Sequence, residues 1–186
     1  MVQEFLIALG SNLGMNRSNP LETVQNSIRE LSNRRFTLRR VSRFFVTPCF
    51  PAGAGPDYVN ACVAISHHGN CDDVLKNLHE IEADFGRERQ QRWGSRTLDL
   101  DLIASGAQVL PSDAIHTQWR DLPLEQQKMR APQELIVPHP RIQERAFVLV
   151  PLCDVAPNWV HPILGRTVRE MTEALPSAQR NEVIPI

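Results

Sequence analysis

Residues 97–104, TLDLDLIA, predict a strand with two unlike faces, because leucine and aspartate alternate strictly along this stretch. Side chains two positions apart on a strand point to the same face. The leucines are therefore expected to face a core, and Asp99 and Asp101 to share the opposite face. Aspartate is disfavoured in strands, so two aspartates on one face indicate a function there.

The residues before this strand predict three further strands and two helices. Strands are expected at residues 5–9, 36–46 and 58–66, which are rich in aliphatic and aromatic side chains. Asn19 and Asn70 each precede an apolar stripe of helical period and are expected to cap a helix. The order βαββαβ predicts an α+β, ferredoxin-like antiparallel sheet, with both helices on one face and the other face open.

The C-terminal part is rich in proline and is expected to be less regular. A polar excursion with one short helix is expected over residues 112–137, and further helices at 140–150 and 165–175. We expect one domain over residues 1–186, with an insertion at 112–137 and an extra C-terminal segment, a tail at 165–186.

Composition limits the class of protein. The chain has 186 residues, a net charge of −1 and 22% charged residues, which argues against a generally basic nucleic-acid binder and a disordered acidic tail. No apolar run reaches the ~18 residues of a membrane span, and the N-terminus does not resemble a signal peptide. The four cysteines have no regular spacing, so we expect a reduced, cytoplasmic protein without a membrane partner.

Asp99 and Asp101 form the strongest candidate site. Their Cα atoms are expected to lie roughly 6.5–7 Å apart, from the rise of a strand. Two carboxylates at this spacing can hold a pair of Mg²⁺ ions ~3.5–4 Å apart, as in sites of phosphoryl transfer. The alternative is a solvated strand face whose aspartates pair with arginines.

A cluster of arginines directly precedes the aspartate strand. Guanidinium groups beside carboxylate-bound metal ions suit the recognition of a polyphosphate. Ion pairing with neighbouring acidic residues is the alternative for some of them. The cluster consists of Arg87, Arg89, Arg92 and Arg96, with Trp93 among them.

Two weaker signals lie elsewhere. Tyr58 and Asn60 are expected on the same sheet face as the aspartates, where a ring could stack on a heterocycle and an amide could bond its edge. His139 lies between two prolines, and Arg145 comes two residues before Phe147. Ordinary packing and a surface turn would explain these residues equally well.

Several motifs together resemble one enzyme family, the 6-hydroxymethyl-7,8-dihydropterin pyrophosphokinases of folate biosynthesis. The resemblance extends from about residue 4 to residue 155, and the shorter family members lack most of the 112–137 excursion. The motifs are ALGSNLG at 8–14, PDYVNA at 56–61, GRER at 86–89, RWGSRTLDLDLI at 92–103 and PHPRIQERAFVLVPL at 138–152.

The resemblance implies a reaction and its residues. The family transfers the pyrophosphate of ATP to the hydroxymethyl group of the dihydropterin, releases AMP and uses two Mg²⁺ ions, here on Asp99 and Asp101. The implied catalytic residues are Arg87, Arg89, Arg96, Asp99 and Asp101. The implied ATP-binding residues are Glu82, Arg87, Arg89, Trp93, Arg96, His139 and Arg145. The implied pterin-binding residues are Thr47, Pro48, Phe50, Tyr58, Asn60 and Phe147. We expect a monomer without a nucleic-acid partner.

Two other functions are compatible with parts of the sequence. An open ferredoxin-like sheet can bind RNA, with a basic stripe formed by Arg34, Arg35, Arg39, Arg40 and Arg43. A zinc site would need ligands from Cys62, His67, His68 and Cys71, which have the right chemistry but lack a second C-x₂-C pair.

Overall fold

A computed structural model describes residues 2–13, 19–49, 53, 55–86 and 97–186. The strands are β1 Gln3–Ser11, β2 Thr37–Val41, β3 Phe45–Thr47, β4 Tyr58–His67, β5 Asp99–Ser105 and β6 Ile184–Pro185. The helices are α1 Pro20–Asn33, α2 Cys71–Asp84, α3 Asp113–Arg120, α4 Leu124–Met129, α5 Ala146–Val155, α6 Val168–Ala174 and α7 Ser177–Asn181. None of these helices is long and apolar enough to cross a membrane.

The strands form one antiparallel sheet in the order β5-β1-β4-β3-β6, with β2 also paired to β4. The single strand predicted at 36–46 is wrong: it is divided into β2 and β3. Ser42 causes the break, because its hydroxyl accepts a hydrogen bond from the Cys62 backbone N–H at 2.8 Å. The sheet is therefore larger than the four strands expected.

The first core lies between the sheet and helices α1 and α2. It contains Leu98, Leu100 and Leu102, all at most 4% exposed, which confirms the face predicted for the leucines. Both predicted helix starts are confirmed, because the side chains of Asn19 and Asn70 each accept from a backbone N–H in a capping box.

A second core lies on the opposite face, so the expectation that helices cover only one face is wrong. Helix α5 packs against this face over part of the sheet, around Leu6, Ala64 and Ala104, and α6 packs on α5. Helix α5 is apolar on nearly every side and carries Pro151 in its interior. The helix expected at 140–150 is found at 146–155, but its packing on the second face could not be predicted, because its pattern lacks a polar face and contains a residue that normally breaks helices.

The 112–137 excursion contains two helices, α3 and α4, rather than the one expected. Its two ends meet in an antiparallel bridge between Leu110 and Val137, whose backbone groups exchange hydrogen bonds of 2.8 and 3.2 Å. The excursion packs on the C-terminal part of the chain through two fully buried histidines. The rings of His116 and His161 lie 5.6 Å apart between centroids.

These buried histidines predict a loss of stability in acid. Burial, with the nearby His116 and Arg120, lowers the pKa of His161 to about 4 from its ordinary 6.5. Since unfolding restores the ordinary pKa, the unfolded state binds more protons between these values. Stability should fall as the pH drops below about 6.5, by about 2 kcal/mol at pH 5 from this one group.

Urea unfolding of the wild type and of His161→Asn, at about pH 7.5 and about pH 5, measures this contribution. Asparagine keeps an acceptor but does not titrate, so the variant should lose less stability between the two pH values. The same pH dependence in both proteins would contradict the assignment.

The described residues do not assemble the zinc site considered from sequence, and RNA binding by the arginine stripe stays a prediction. Cys62 lies in the second core and Cys71 in the first, on opposite sides of the sheet, and all four cysteines are free. No cluster of three or more potential metal-ligating side chains occurs among the residues described. The zinc grouping is therefore wrong. In the arginine stripe, Arg34 pairs with acidic side chains on α1 and α2, and Arg43 pairs with Asp154.

Candidate active site

Strand register places the main candidate residues in one row across the sheet. Asp99 of β5 lies opposite Gly10 of β1, Gly10 lies opposite Asn60 of β4, and Asn60 lies opposite Phe45 of β3. Residues directly opposite each other point to the same face. Neighbouring strands are about 4.8 Å apart, so about 10 Å separates the backbones of Asp99 and Asn60, and Gly10 places no side chain between them.

Asp99 and Asp101 are half-buried beside the second core, on the face predicted. Arg145, at the start of α5, lies 3.6 Å from Asp101 between Nη1 and Oδ2. Burial lowers the pKa of Arg145, and the two aspartates oppose that effect. The site therefore combines two carboxylates with a guanidinium partly removed from water, where charge interactions are strong.

Glu82 lies behind the aspartate strand rather than on its open face. It is 1% exposed, and its Oε1 accepts a hydrogen bond of 2.8 Å from the Leu100 backbone N–H. Leu100 is the residue between the two aspartates, so Glu82 fixes the backbone that carries them. Its contact with ATP, implied by the resemblance, stays a prediction.

Asn60 and Thr47 form a buried polar pair at the other end of the row. The Asn60 Nδ2 donates to Thr47 Oγ1 at 2.7 Å, and both residues are at most 7% exposed. The resemblance implies that both bind the pterin, and the structure brings them together. The bond holds the orientation of the Asn60 amide, which is needed to read the polar edge of a heterocycle.

Gly10 was missed as a site residue, because the strand predicted at residues 5–9 ends before it, whereas β1 continues to Ser11. A Cβ atom at Gly10 would lie 3.0 Å from the Asn60 Oδ1. A glycine inside a strand often marks such a close approach. The glycine at the end of the apolar run was therefore the feature of the sequence that could have identified this position.

Gly10→Ala is expected to displace the Asn60 amide and weaken its bond to Thr47. We expect the KM for the dihydropterin to rise about tenfold, equivalent to about 1.4 kcal/mol of binding, while the KM for ATP changes little. Steady-state kinetics with each substrate varied in turn measure both values. Equal changes in both constants would contradict a local effect on Asn60.

Hydrogen bonds with backbone groups hold His139 in place, and its imidazole ring is neutral. Its N–H donates to the Ile103 carbonyl at 2.8 Å, and its Nδ1 accepts from the Arg141 N–H at 3.1 Å. Burial, with the positive charges of Arg145 and Arg141, lowers the pKa of His139 well below the ordinary value. The proton therefore sits on Nε2, and the ring acts as a neutral donor.

The aromatic residues implied to sandwich the pterin lie on different elements. Tyr58 begins β4 and is half-buried, whereas Phe147 lies on α5 and is 41% exposed. The Arg145 guanidinium lies 5.7 Å from the centre of the Phe147 ring. Pro48 is exposed directly after Thr47. Their contacts with a pterin remain predictions.

Ser11 and Asn12 connect the end of β1 to segments that flank the site, a role that the sequence did not indicate. The Ser11 hydroxyl lies 2.6 Å from the Thr97 carbonyl, two residues before Asp99. The Asn12 Nδ2 donates to the Pro56 carbonyl at 3.3 Å. These polar side chains therefore hold the approach to β5 and the segment before β4.

Several predicted residues lie outside the residues that the structure describes. This holds for the whole arginine cluster and for one pterin-binding candidate. They are Arg87, Arg89, Arg92, Trp93, Arg96 and Phe50. Their implied roles stay predictions.

The site as described combines an acidic pair, a neighbouring arginine and the buried polar pair of Asn60 and Thr47, with the aromatic Tyr58 beside it. This combination is typical of an enzyme that brings a phosphorylated co-substrate to a heterocyclic acceptor. The chain belongs to the 7,8-dihydro-6-hydroxymethylpterin-pyrophosphokinase (HPPK) family, whose sequence model matches residues 6–157.

Individual relatives agree with this family. The 2-amino-4-hydroxy-6-hydroxymethyldihydropteridine pyrophosphokinase of Pseudomonas aeruginosa is 36% identical over 177 residues, which is 95% of this chain and 94% of the relative. The protein of the same name from Synechocystis is 36% identical over 169 residues, 90% of this chain and 74% of the relative. The chain is therefore similar to these pyrophosphokinases over most of its length.

Solved structures support the fold. A Plasmodium falciparum HPPK-DHPS triple mutant gives a TM-score of 0.65 at 12% identity and covers 93% of this chain. The wild-type Plasmodium HPPK-DHPS gives a TM-score of 0.62 at 13% identity. This chain spans only 44% of each of those longer chains.

Proposed function

We propose that this chain transfers the pyrophosphate group of ATP to 6-hydroxymethyl-7,8-dihydropterin, giving the pterin diphosphate and AMP. The row from Asp99 through Gly10 to Asn60 carries this proposal, because it sets an acidic pair about two strand spacings, or about 10 Å, from the buried polar pair of Asn60 and Thr47. Membership of the pyrophosphokinase family supports the same reaction.

The reaction is a displacement at phosphorus. The hydroxymethyl oxygen attacks the β-phosphorus of ATP and forms a new O–P bond. The bond from that phosphorus to the oxygen shared with the α-phosphate breaks, the oxygen leaves with AMP, and the hydroxyl proton passes to solvent. Arg145 stabilises the negative charge that develops near the aspartates, and His139 donates a hydrogen bond from Nε2 to ATP.

Asp99 and Asp101 suit Mg²⁺, and we propose that they hold the two ions that the family resemblance implies. Both are hard oxygen ligands, half-buried on one face, and the described residues add no third potential ligand to them. Mg²⁺ is commonly bound by one or two carboxylates together with substrate phosphates, so this sparse ligand set fits. The bound ions would neutralise phosphate oxygens.

Positioning of the acceptor depends on the other end of the row. The Asn60 amide, held by Thr47, would bond the polar edge of the pterin, and Tyr58 and Phe147 would contact its ring faces. This fixed geometry converts binding energy into orientation of the hydroxymethyl group.

Three broader assignments belong to the same proposal. Strands β5, β1 and β4, with β2 and β3 together as the fourth strand, would form a ferredoxin-like core extended by β6. A single domain over residues 1–186 and a cytoplasmic monomer stay predictions.

The nucleotide product tests the function. The protein is incubated with ATP, Mg²⁺ and the dihydropterin alcohol, and the nucleotides are separated by chromatography. We expect AMP, formed only when the pterin is present. ADP would indicate an ordinary kinase, and the absence of any pterin-dependent product would contradict the proposal.

A further inference from the structure

His116 lies in the excursion, outside the candidate active site, yet it contacts the backbone next to a site residue. It is on α3, 0% exposed, and its Nε2 lies 2.9 Å from the Pro138 carbonyl oxygen. A carbonyl oxygen only accepts, so Nε2 carries the proton and donates. Pro138 directly precedes His139.

Three consecutive residues of this turn are each held by a different part of the chain. Val137 exchanges backbone hydrogen bonds with Leu110, and the His139 N–H donates to the Ile103 carbonyl. Between them, the Pro138 carbonyl receives its hydrogen bond from the His116 side chain. His116 thus holds the middle residue of the turn by its side chain, while the residues on either side are held by backbone hydrogen bonds. This turn places His139 at the proposed site.

A second buried histidine matches His116. The His161 Nδ1 accepts from the N–H groups of Ile163 and Leu164 at 3.2 and 3.3 Å. Its proton must therefore sit on Nε2. Nε2 of His161 is a donor, Nδ1 of His116 is an acceptor, and neither has a hydrogen-bond partner among the described residues.

These two atoms are complementary, and their rings are 5.6 Å apart between centroids at 70°. Buried polar groups are nearly always hydrogen-bonded, and the two atoms do not bond each other directly, so one buried water between them would satisfy both. Such a water accepts from His161 Nε2 and donates to the lone pair on His116 Nδ1, which keeps the His116 proton on Nε2. Burial also lowers the pKa of His116 and keeps the ring neutral.

We propose that His116, in a tautomer selected by His161, is a positioning residue for nucleotide binding. It holds the Pro138 carbonyl and so fixes the turn that presents His139. The 112–137 excursion would then stabilise the ATP-binding part of the site without contacting ATP itself. This inference rests on the proposed function, because it takes His139 to contact ATP.

Binding of a non-hydrolysable ATP analogue tests the proposal without turnover. Titration calorimetry with Mg²⁺ compares the wild type with His116→Leu, His116→Gln and the exposed control His68→Gln. We expect about a tenfold weaker analogue affinity for His116→Leu, the size of one lost buried hydrogen bond. His116→Gln, which retains an N–H donor, should recover most of it, and His68→Gln should equal the wild type.

Steady-state kinetics separate positioning from general damage. His116→Leu should raise the KM for ATP, while the KM for the pterin should stay within about twofold of the wild type. The reason is that the buried pair of Asn60 and Thr47 lies on other elements. Equal loss for both substrates, or unchanged analogue affinity, would overturn the proposal. Absence of AMP formation by the wild type would instead reject the proposed function.

The tautomer gives a readout that does not depend on a folded variant. Long-range ¹H–¹⁵N NMR of the wild-type imidazoles should show His116 and His161 neutral at pH 7, each protonated at Nε2. Protonation of His116 at Nδ1, or a charged ring, would overturn the proposal.

Discussion

Replacing Asp99 or Asp101 by asparagine is expected to reduce AMP formation about 1000-fold or more, while the protein stays folded. Asparagine keeps the shape of the side chain but removes the charge that would hold Mg²⁺. Loss of several kcal/mol of charge stabilisation corresponds to rate losses of this order. Initial rates at saturating ATP and Mg²⁺, with circular dichroism of each variant, measure the effect.

The control for this experiment is Asp72→Asn, which makes the same chemical change at an exposed position on α2. It should retain the wild-type rate. Near-normal turnover in either site variant would contradict the role of the aspartates as metal ligands. They would then serve only as ion-pair partners of arginine.

Arg145→Ala is expected to lower kcat about 100-fold, equivalent to about 2.7 kcal/mol of transition-state stabilisation. Arg145 forms an ion pair with the aspartate strand, 3.6 Å from Asp101, and it is partly removed from water. Arg145→Lys should recover only part of the rate, because an ammonium group cannot form the planar two-point contact of a guanidinium. Rate measurements over a range of ATP concentrations separate kcat from KM.

The exposed Arg169 on α6 supplies the matched control, and Arg169→Ala should leave both constants unchanged. A kcat for Arg145→Ala within about twofold of the wild type would assign Arg145 to a structural ion pair.

The sequence predicts those features that depend on strict local periodicity. Alternation in 97–104 correctly places Leu98, Leu100 and Leu102 in the core and the aspartates on the other face. The same reasoning separates Val59 and Ala61, which lie in the first core, from Asn60 between them. The two asparagine caps are confirmed because capping depends on residues only three positions apart.

Features that depend on distant contacts could not be predicted. Helix α5 covers the second face, but its sequence has no polar side, so periodicity does not indicate which surface it packs against. Ser42 divides the predicted strand through a hydrogen bond to Cys62, 20 residues away. His116 and His161 meet only in the folded chain.

The site was predicted unevenly for the same reason. Asp99 and Asp101 follow from the strand pattern, whereas the need for glycine at position 10 arises from the register of β1 against β4. Glu82 was assigned to ATP through the resemblance, and only the structure reveals its bond to the Leu100 backbone.

Direct observation of the products by ³¹P NMR tests the proposed pyrophosphate transfer. With ATP, Mg²⁺ and the dihydropterin alcohol, we predict AMP and a pterin carrying two phosphate groups in equal amounts, and neither product with Asp99→Asn. ADP with a pterin monophosphate, or equal product formation by Asp99→Asn, would contradict it.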